Sequence, residues 1–130
     1  MSNIITAGDW SKIIAAFGSG GVPLPFVKEI FLMECRIAGT TFVEGISQKT
    51  DQIEPGTVLG FIREPDNQHD KLAVMILNHN NEKIGYIPKE KNEVLARLMD
   101  GGKLLFGKVE SKRTAGKWLQ IEVRVYMRDL

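Results

Sequence analysis

From residue 29 onward the apolar positions of this chain recur with a period of two, broken by clusters of turn formers. Glu29–Ile37 alternates, with Phe31, Met33, Cys35 and Ile37 on one side and Ile30, Leu32, Glu34 and Arg36 on the other, which predicts a strand. Gly39-Thr40-Thr41-Phe42 ends it and opens a loop that reaches Gly56. Thr57–Glu64 predicts a second strand, in which Gly60 allows a bulge or bend. Leu72–Leu77 is continuously apolar, as expected of a strand covered on both faces. Asn78-His79-Asn80-Asn81 predicts a hairpin turn, because Asn tolerates positive φ, and Glu82–Ile87 is the returning strand. Pro88 suits the first turn of a helix, where its missing N–H costs nothing. Val94, Leu95, Leu98 and Met99 recur at helical spacing, and Gly101-Gly102 supplies the stop. Leu104–Ser111 and Trp118–Met127 predict a last hairpin through Thr114-Ala115-Gly116-Lys117. Its second strand is two-faced: Leu119, Ile121, Val123, Val125 and Met127 point to the core, and Trp118, Gln120, Glu122, Arg124 and Tyr126 point away. About six strands and one good helix predict a mainly β fold, a small, partly open barrel with the helix after the central hairpin.

Residues 1–28 carry a different pattern. Asp9 can cap a short helix over Trp10–Phe17 that puts Ile13, Ile14 and Phe17 on one face. Gly18-Ser19-Gly20-Gly21 ends it, and Pro23 and Pro25 force an extended connector. The expected organisation is an N-terminal extension, residues 1–28, ahead of a barrel domain, residues 29–130. The extension covers part of the barrel or mediates homo-oligomerisation or a protein contact; the pattern leaves these open.

Composition narrows the class. A chain of 130 residues, 43% hydrophobic and 25% charged, reads as one soluble domain that needs no disulfide. The single cysteine, Cys35, sits in an apolar alternation and reads as a small core residue. No apolar run approaches the roughly 18 residues of a membrane span, and Gly8, Asp9 and Trp10 interrupt any signal-peptide core, so a cytoplasmic protein with no membrane partner is expected. The net charge is only +1, so affinity for nucleic acid must come from local asymmetry. Residues 103–128 hold seven basic and two acidic side chains, whereas residues 44–66 hold five acidic and two basic ones.

Chemistry is concentrated between Arg63 and Glu90, where turn formers, carboxylates, an imidazole and cations crowd a loop ahead of a buried strand. Three stretches carry a family resemblance: Gly39-Thr40-Thr41-Phe42; Arg63-Glu64-Pro65-Asp66-Asn67 with Asp70 and Ala73-Val74; and Ile84-Gly85-Tyr86-Ile87-Pro88-Lys89. In this order and spacing they resemble the HIRAN domain, over about residues 30–128. That domain occurs alone in bacterial proteins and fused to DNA translocases of the SWI2/SNF2 type, one of them involved in replication-fork repair. The resemblance implies an OB-like barrel that grips single-stranded DNA at a free 3′ end. It implies that Phe42 stacks on a base, that Asp70 accepts a hydrogen bond from the terminal hydroxyl, and that His69 is the loop aromatic before it. It further places Tyr86 and the phosphate-contacting Lys89 in the site. Thr41 stands where the DNA-end-binding member has an arginine, His69 where it has a tyrosine, and Tyr86 where it has a histidine. Replacing that arginine removes a cation and a bidentate phosphate fork.

Each residue also has a plain structural reading. Phe42 reads equally as a core phenylalanine, Tyr86 as a barrel-edge residue and Lys89 as a solvated lysine. Asp70 can bond the backbone around Leu72. Arg63 binds phosphate or pairs with Glu64, Asp66 or Asp70, and Pro65-Asp66-Asn67 is most economically a turn. The Trp118, Arg124 and Tyr126 face is a secondary nucleic-acid surface or, preferentially, a face covered by residues 1–28. Catalysis is not expected: Asp66, His69 and Asp70 make a thin set for a hard metal, and no Cys-x-x-Cys or phosphate loop is present, so no cofactor is expected. The sequence therefore reads as a binding module for single-stranded nucleic acid with a role in DNA repair or processing. The alternative is an interaction module that keeps the barrel without the ligand.

Overall fold

The computed structural model describes residues 28–129; the helix and connector expected within residues 1–27 lie outside the described residues. Six strands form one antiparallel sheet: β1 (Lys28–Arg36), β2 (Val58–Arg63), β3 (Val74–Leu77), β4 (Lys83–Tyr86), β5 (Leu104–Ala115) and β6 (Trp118–Asp129), in the order β1-β6-β5-β2-β3-β4. A short helix α1 (Ile46–Lys49) lies in the β1–β2 connection, and α2 (Asn92–Asp100) follows β4. The result is mainly β, an open half-barrel with its helix after the central hairpin, as the pattern predicts.

The alternation of β6 survives into the fold, with Ile121, Val123 and Val125 fully buried. They meet Phe61, Ile76, Ile84 and Leu95, which are also fully buried, each worth roughly 1.5–3 kcal/mol of transfer free energy. Cys35 joins this core at 3% exposure, and burial pushes its thiol up to about 11. It is a packing residue, as read from the sequence.

Four expectations shift. In β1 a register irregularity between Phe31 and Met33 breaks the period of two, so Cys35 and Ile37 reach the core while Phe31 stays 45% exposed. Phe31 instead sits edge-on to Tyr126 and 4.3 Å below the Arg124 guanidinium. Gly60 makes no bulge; it pairs regularly with Leu77 and Phe106. The final hairpin is longer and tighter than expected, with Ala115 opposite Trp118 and Gly116 at φ 61 in a turn of Gly116-Lys117. Finally, Pro88 precedes a 3₁₀ turn over Lys89–Lys91 rather than opening the α-helix directly. That turn advances the phase of α2, so Asn92, Leu95 and Ala96 are buried while Val94 is 57% exposed.

The sheet curls until the segment after β1 reaches β4, the opposite edge strand. Just beyond β1, Ala38 and Tyr86 exchange two backbone hydrogen bonds of 2.8 and 2.9 Å. Gly85 permits this approach: a Cβ there would strike Ile37 Cγ2 and come within 2.6 Å of the Ala38 carbonyl oxygen. This bridge fixes the floor beside which the candidate site is built.

Candidate nucleic-acid interface

A groove of about 660 Å³ opens beside the Ala38–Tyr86 bridge. Five of the seven residues singled out in the sequence line it: Phe42, His69, Asp70, Tyr86 and Lys89. The fold brings them together from three places. Phe42 comes from the 3₁₀ turn Thr40–Phe42, His69 and Asp70 from the β2–β3 loop, and Tyr86 and Lys89 from the end of β4 and the turn after it.

Phe42 is 90% exposed, which excludes the core reading. It belongs to a turn closed by the Phe42 N–H donating to the Gly39 carbonyl at 3.1 Å, with Gly39 at φ 75. The buried residues of this segment are Thr40 and Val43, so the chain anchors on either side and presents the ring outward.

The loop with Asp70 is internally wired. Asn67 Oδ1 accepts the backbone N–H groups of His69 and Asp70 at 2.8 and 3.1 Å. Asn67 Nδ2 donates to Glu64 Oε1 at 3.0 Å, and the Asn67 N–H donates to the Glu64 carbonyl, completing the expected turn. Asp70 Oδ1 accepts the Leu72 N–H at 2.9 Å and its Oδ2 accepts the Asn92 side-chain amide at 2.7 Å. These two donors, the Leu72 amide first, hold the Asp70 carboxyl below the usual carboxylate value. The structural reading of Asp70 is therefore realised, while the residue still faces the groove. Asn92, at the start of α2, is 2% exposed and was not anticipated; its signal is an amide side chain on the first turn of the helix.

Tyr86 spans groove and loop. Its hydroxyl donates to Glu64 Oε1 at 2.7 Å, and Lys83 Nζ stands 4.7 Å over its ring. Burial first, and then the Glu64 contact, push its phenol up to about 12. Lys89 is exposed and forms no hydrogen bond or ion pair among the described residues. Lys83 also lines the groove; it lies one residue ahead of the Ile84–Lys89 stretch that carries the family resemblance and was not singled out.

Two predicted residues stand apart. Thr41 is exposed but does not line the groove. Arg63 pairs with none of its three expected partners. Its Nε and Nη2 donate to both carboxylate oxygens of Asp100 at 2.9 and 3.2 Å, and its Nη1 and Nη2 donate to the carbonyls of Ala73 and Lys71 at 2.7 and 2.9 Å. With 9% of its side chain exposed, it ties the base of the loop to the end of α2.

Comparison with known proteins decides the family. The HIRAN domain model matches residues 30–128. The chain belongs to the HIRAN domain family. The HIRAN fold is shared with a solved protein of Lactobacillus plantarum, at TM-score 0.75 and 24% identity over 80% of this chain and 99% of that one. A second structure, the HIRAN domain of HLTF in its DNA-bound conformation, superposes at TM-score 0.52 and 18% identity, covering 76% of this chain and 79% of the other. In sequence, the rabbit helicase-like transcription factor is 34% identical over 58 residues, 45% of this chain. The chain spans 6% of the length of that relative.

Proposed function

We propose that this HIRAN domain binds single-stranded nucleic acid in the groove beside the Ala38–Tyr86 bridge, takes DNA with a free 3′ end, and serves DNA repair or processing in the cytoplasm without catalysing a reaction. One observation carries the reading: an almost fully exposed Phe42, a fixed and ionised Asp70 and an uncommitted Lys89 line one groove. Support also comes from the DNA-bound conformation of the HLTF domain, which shares this fold.

The roles follow from the chemistry. Phe42 offers a ring face to a base, a contact worth about 1–3 kcal/mol in single-strand binders. Asp70 is held as an anion, and an anion only accepts hydrogen bonds. Each of its oxygens has one protein donor, which leaves a lone pair for a sugar hydroxyl. A phosphate at that position is repelled, so the carboxylate favours a strand end over a strand interior. Lys89 and Lys83 supply the cations. With so few, the salt dependence is shallow, a log–log slope of about −1 to −2.

The test is fluorescence anisotropy with short labelled strands that end in a 3′-hydroxyl or a 3′-phosphate. Tighter binding of the hydroxyl end, with the preference lost in Asp70→Ala, is expected. Equal discrimination in the variant removes Asp70 from the role. No binding at micromolar protein in low salt overturns the reading and points to a protein partner or self-association through residues 1–28.

A further inference from the structure

Away from the groove, the tip of the β5–β6 hairpin folds over α1 around a second cavity of about 280 Å³. Its lining includes Trp118, Lys112, Lys117, Thr114, and Ser47 and Thr50 from α1 and its end. We propose that this tip is a second contact for a single strand, in which Trp118 stacks on a base while Arg113 and Lys117 meet phosphates. The inference rests on the single-strand reading of the groove and extends the track beyond it.

Four observations carry it. The Trp118 indole is 50% exposed, and no ring or cation stacks on it among the described residues. A half-exposed indole at the start of a twelve-residue strand is apolar surface with a polar N–H, the combination that single-strand binders use as a platform. Around it, residues 112–118 hold Lys112, Arg113 and Lys117 and no carboxylate, a local charge of +3 in a chain whose net charge is +1. A concentration of charge of that kind attracts a polyanion where the whole molecule does not. Of these cations, Lys112 donates to the Thr50 carbonyl at 2.6 Å and holds α1 against the hairpin; Arg113 and Lys117 are exposed with no ion pair among the described residues. Asp51 is the one carboxylate in the lining, offset by these cations.

Continuity is the fourth observation. Phe42 lines the groove and Ile46, four residues later, lines the second cavity. Four residues span at most about 14 Å even when extended. The Phe42 and Ile46 positions that line the two cavities are therefore no farther apart than that, a span within reach of the roughly 4–16 nucleotides occupied on a single fold of this kind.

The experiment uses the full chain with Trp10→Phe, which leaves Trp118 as the remaining one of its two tryptophans. Intrinsic fluorescence is titrated with oligothymidylates of about four and about twelve nucleotides, spanning the short and long ends of that range. The longer strand is expected to quench Trp118; with the same strands dye-labelled and read by fluorescence anisotropy, Trp118→Ala weakens binding of the longer one about ten-fold, the loss of one stacked base. Lys117→Glu, a change at an exposed position, weakens the longer strand in the same direction. Neither variant changes affinity for the shorter strand, which the groove alone accommodates. An unchanged Kd for the longer strand in both variants, or no quenching by it, overturns the second contact and leaves the groove standing. If the shorter strand fails to bind while the longer one still quenches Trp118, the groove reading falls and the hairpin contact stands.

Discussion

The loop from Glu64 to Ala73 and the pair Phe42 and Lys89 line the same groove, and they are held in opposite ways. In the loop, Asn67, Asp70 and Glu64 are all hydrogen-bonded to groups within the protein, and Arg63 clamps the loop base. Phe42 and Lys89 have only backbone anchors, with their functional ends in solvent. A fixed acceptor can measure a ligand, because it has no alternative geometry to offer. A free ring and a free ammonium can grip many ligands, because they adapt. The groove combines a rigid reader with a tolerant grip, and each part can be broken without the other.

Gly85→Ala breaks both, since the added Cβ meets the Ala38 carbonyl at the bridge beneath the groove. A loss of about 3 kcal/mol is expected from overpacking, visible as a lower urea midpoint at unchanged m. An unaltered midpoint would mean that the bridge is dispensable. Phe42→Ala removes only the grip. Binding of a short strand should weaken by about 1–3 kcal/mol while the melting temperature holds, because the ring is 90% exposed. A drop in stability of similar size would show that the ring is part of the fold.

Asn92→Ala loosens only the reader. Asp70 Oδ2 loses its donor, and preference for a 3′-hydroxyl over a 3′-phosphate should shrink with a stability loss of about 1 kcal/mol. The same network sets a pH sign. Asp70 has a lowered folded pKa, so its contribution is present above the ordinary carboxylate value near 4 and disappears as pH falls through the lowered one. Binding of the 3′-hydroxyl strand should therefore be flat from neutral pH down to about 4; a fall beginning near pH 6 would point to a different titrating group. Lys89→Ala is a smaller change, reducing the salt slope by about one phosphate's worth at little cost in discrimination. The smallest effect concerns Tyr86. Its phenol is raised to about 12, so the stabilisation from its Glu64 contact is complete below about 10 and lost on the way to 12. The step in phenolate absorbance near pH 12 should be missing in Tyr86→Phe, which removes one of the chain's two tyrosines.

Local rules made much of this legible. The strict alternation of β6, the Asn-rich turn, the Gly101-Gly102 stop and the Asp-Asn turn of the loop depend on neighbours in sequence, and all are found. Phe42 entered through the family resemblance, the residues alone reading it equally as a core phenylalanine, and the 3₁₀ turn over Thr40–Phe42 turns the ring outward. What escaped depends on helix phase and distant pairing. Arg63 finds Asp100 across 37 positions, and the choice of Asp100 over the nearer Glu64, Asp66 and Asp70 follows from where α2 ends. Asn92 reaches Asp70 because the 3₁₀ turn at Lys89–Lys91 rotates the helix start, a twist of phase no periodicity reveals. The same rotation turns Val94 outward. In β1, one irregular residue pair redirected Phe31, which an alternation count treats as inward.

The meeting of Ala38 with Tyr86 has a further consequence for the behaviour of the molecule in a crowded solution. β1 and β4 are the outermost strands in the hydrogen-bonding order, and outermost strands are templates for runaway association between copies. Here two N–H and two C=O groups that would otherwise invite a foreign strand are consumed by one another. A molecule that loses this bridge frees these four groups on both margins at once, so damage there should appear first as fibril or aggregate formation at high concentration, before any loss of secondary structure.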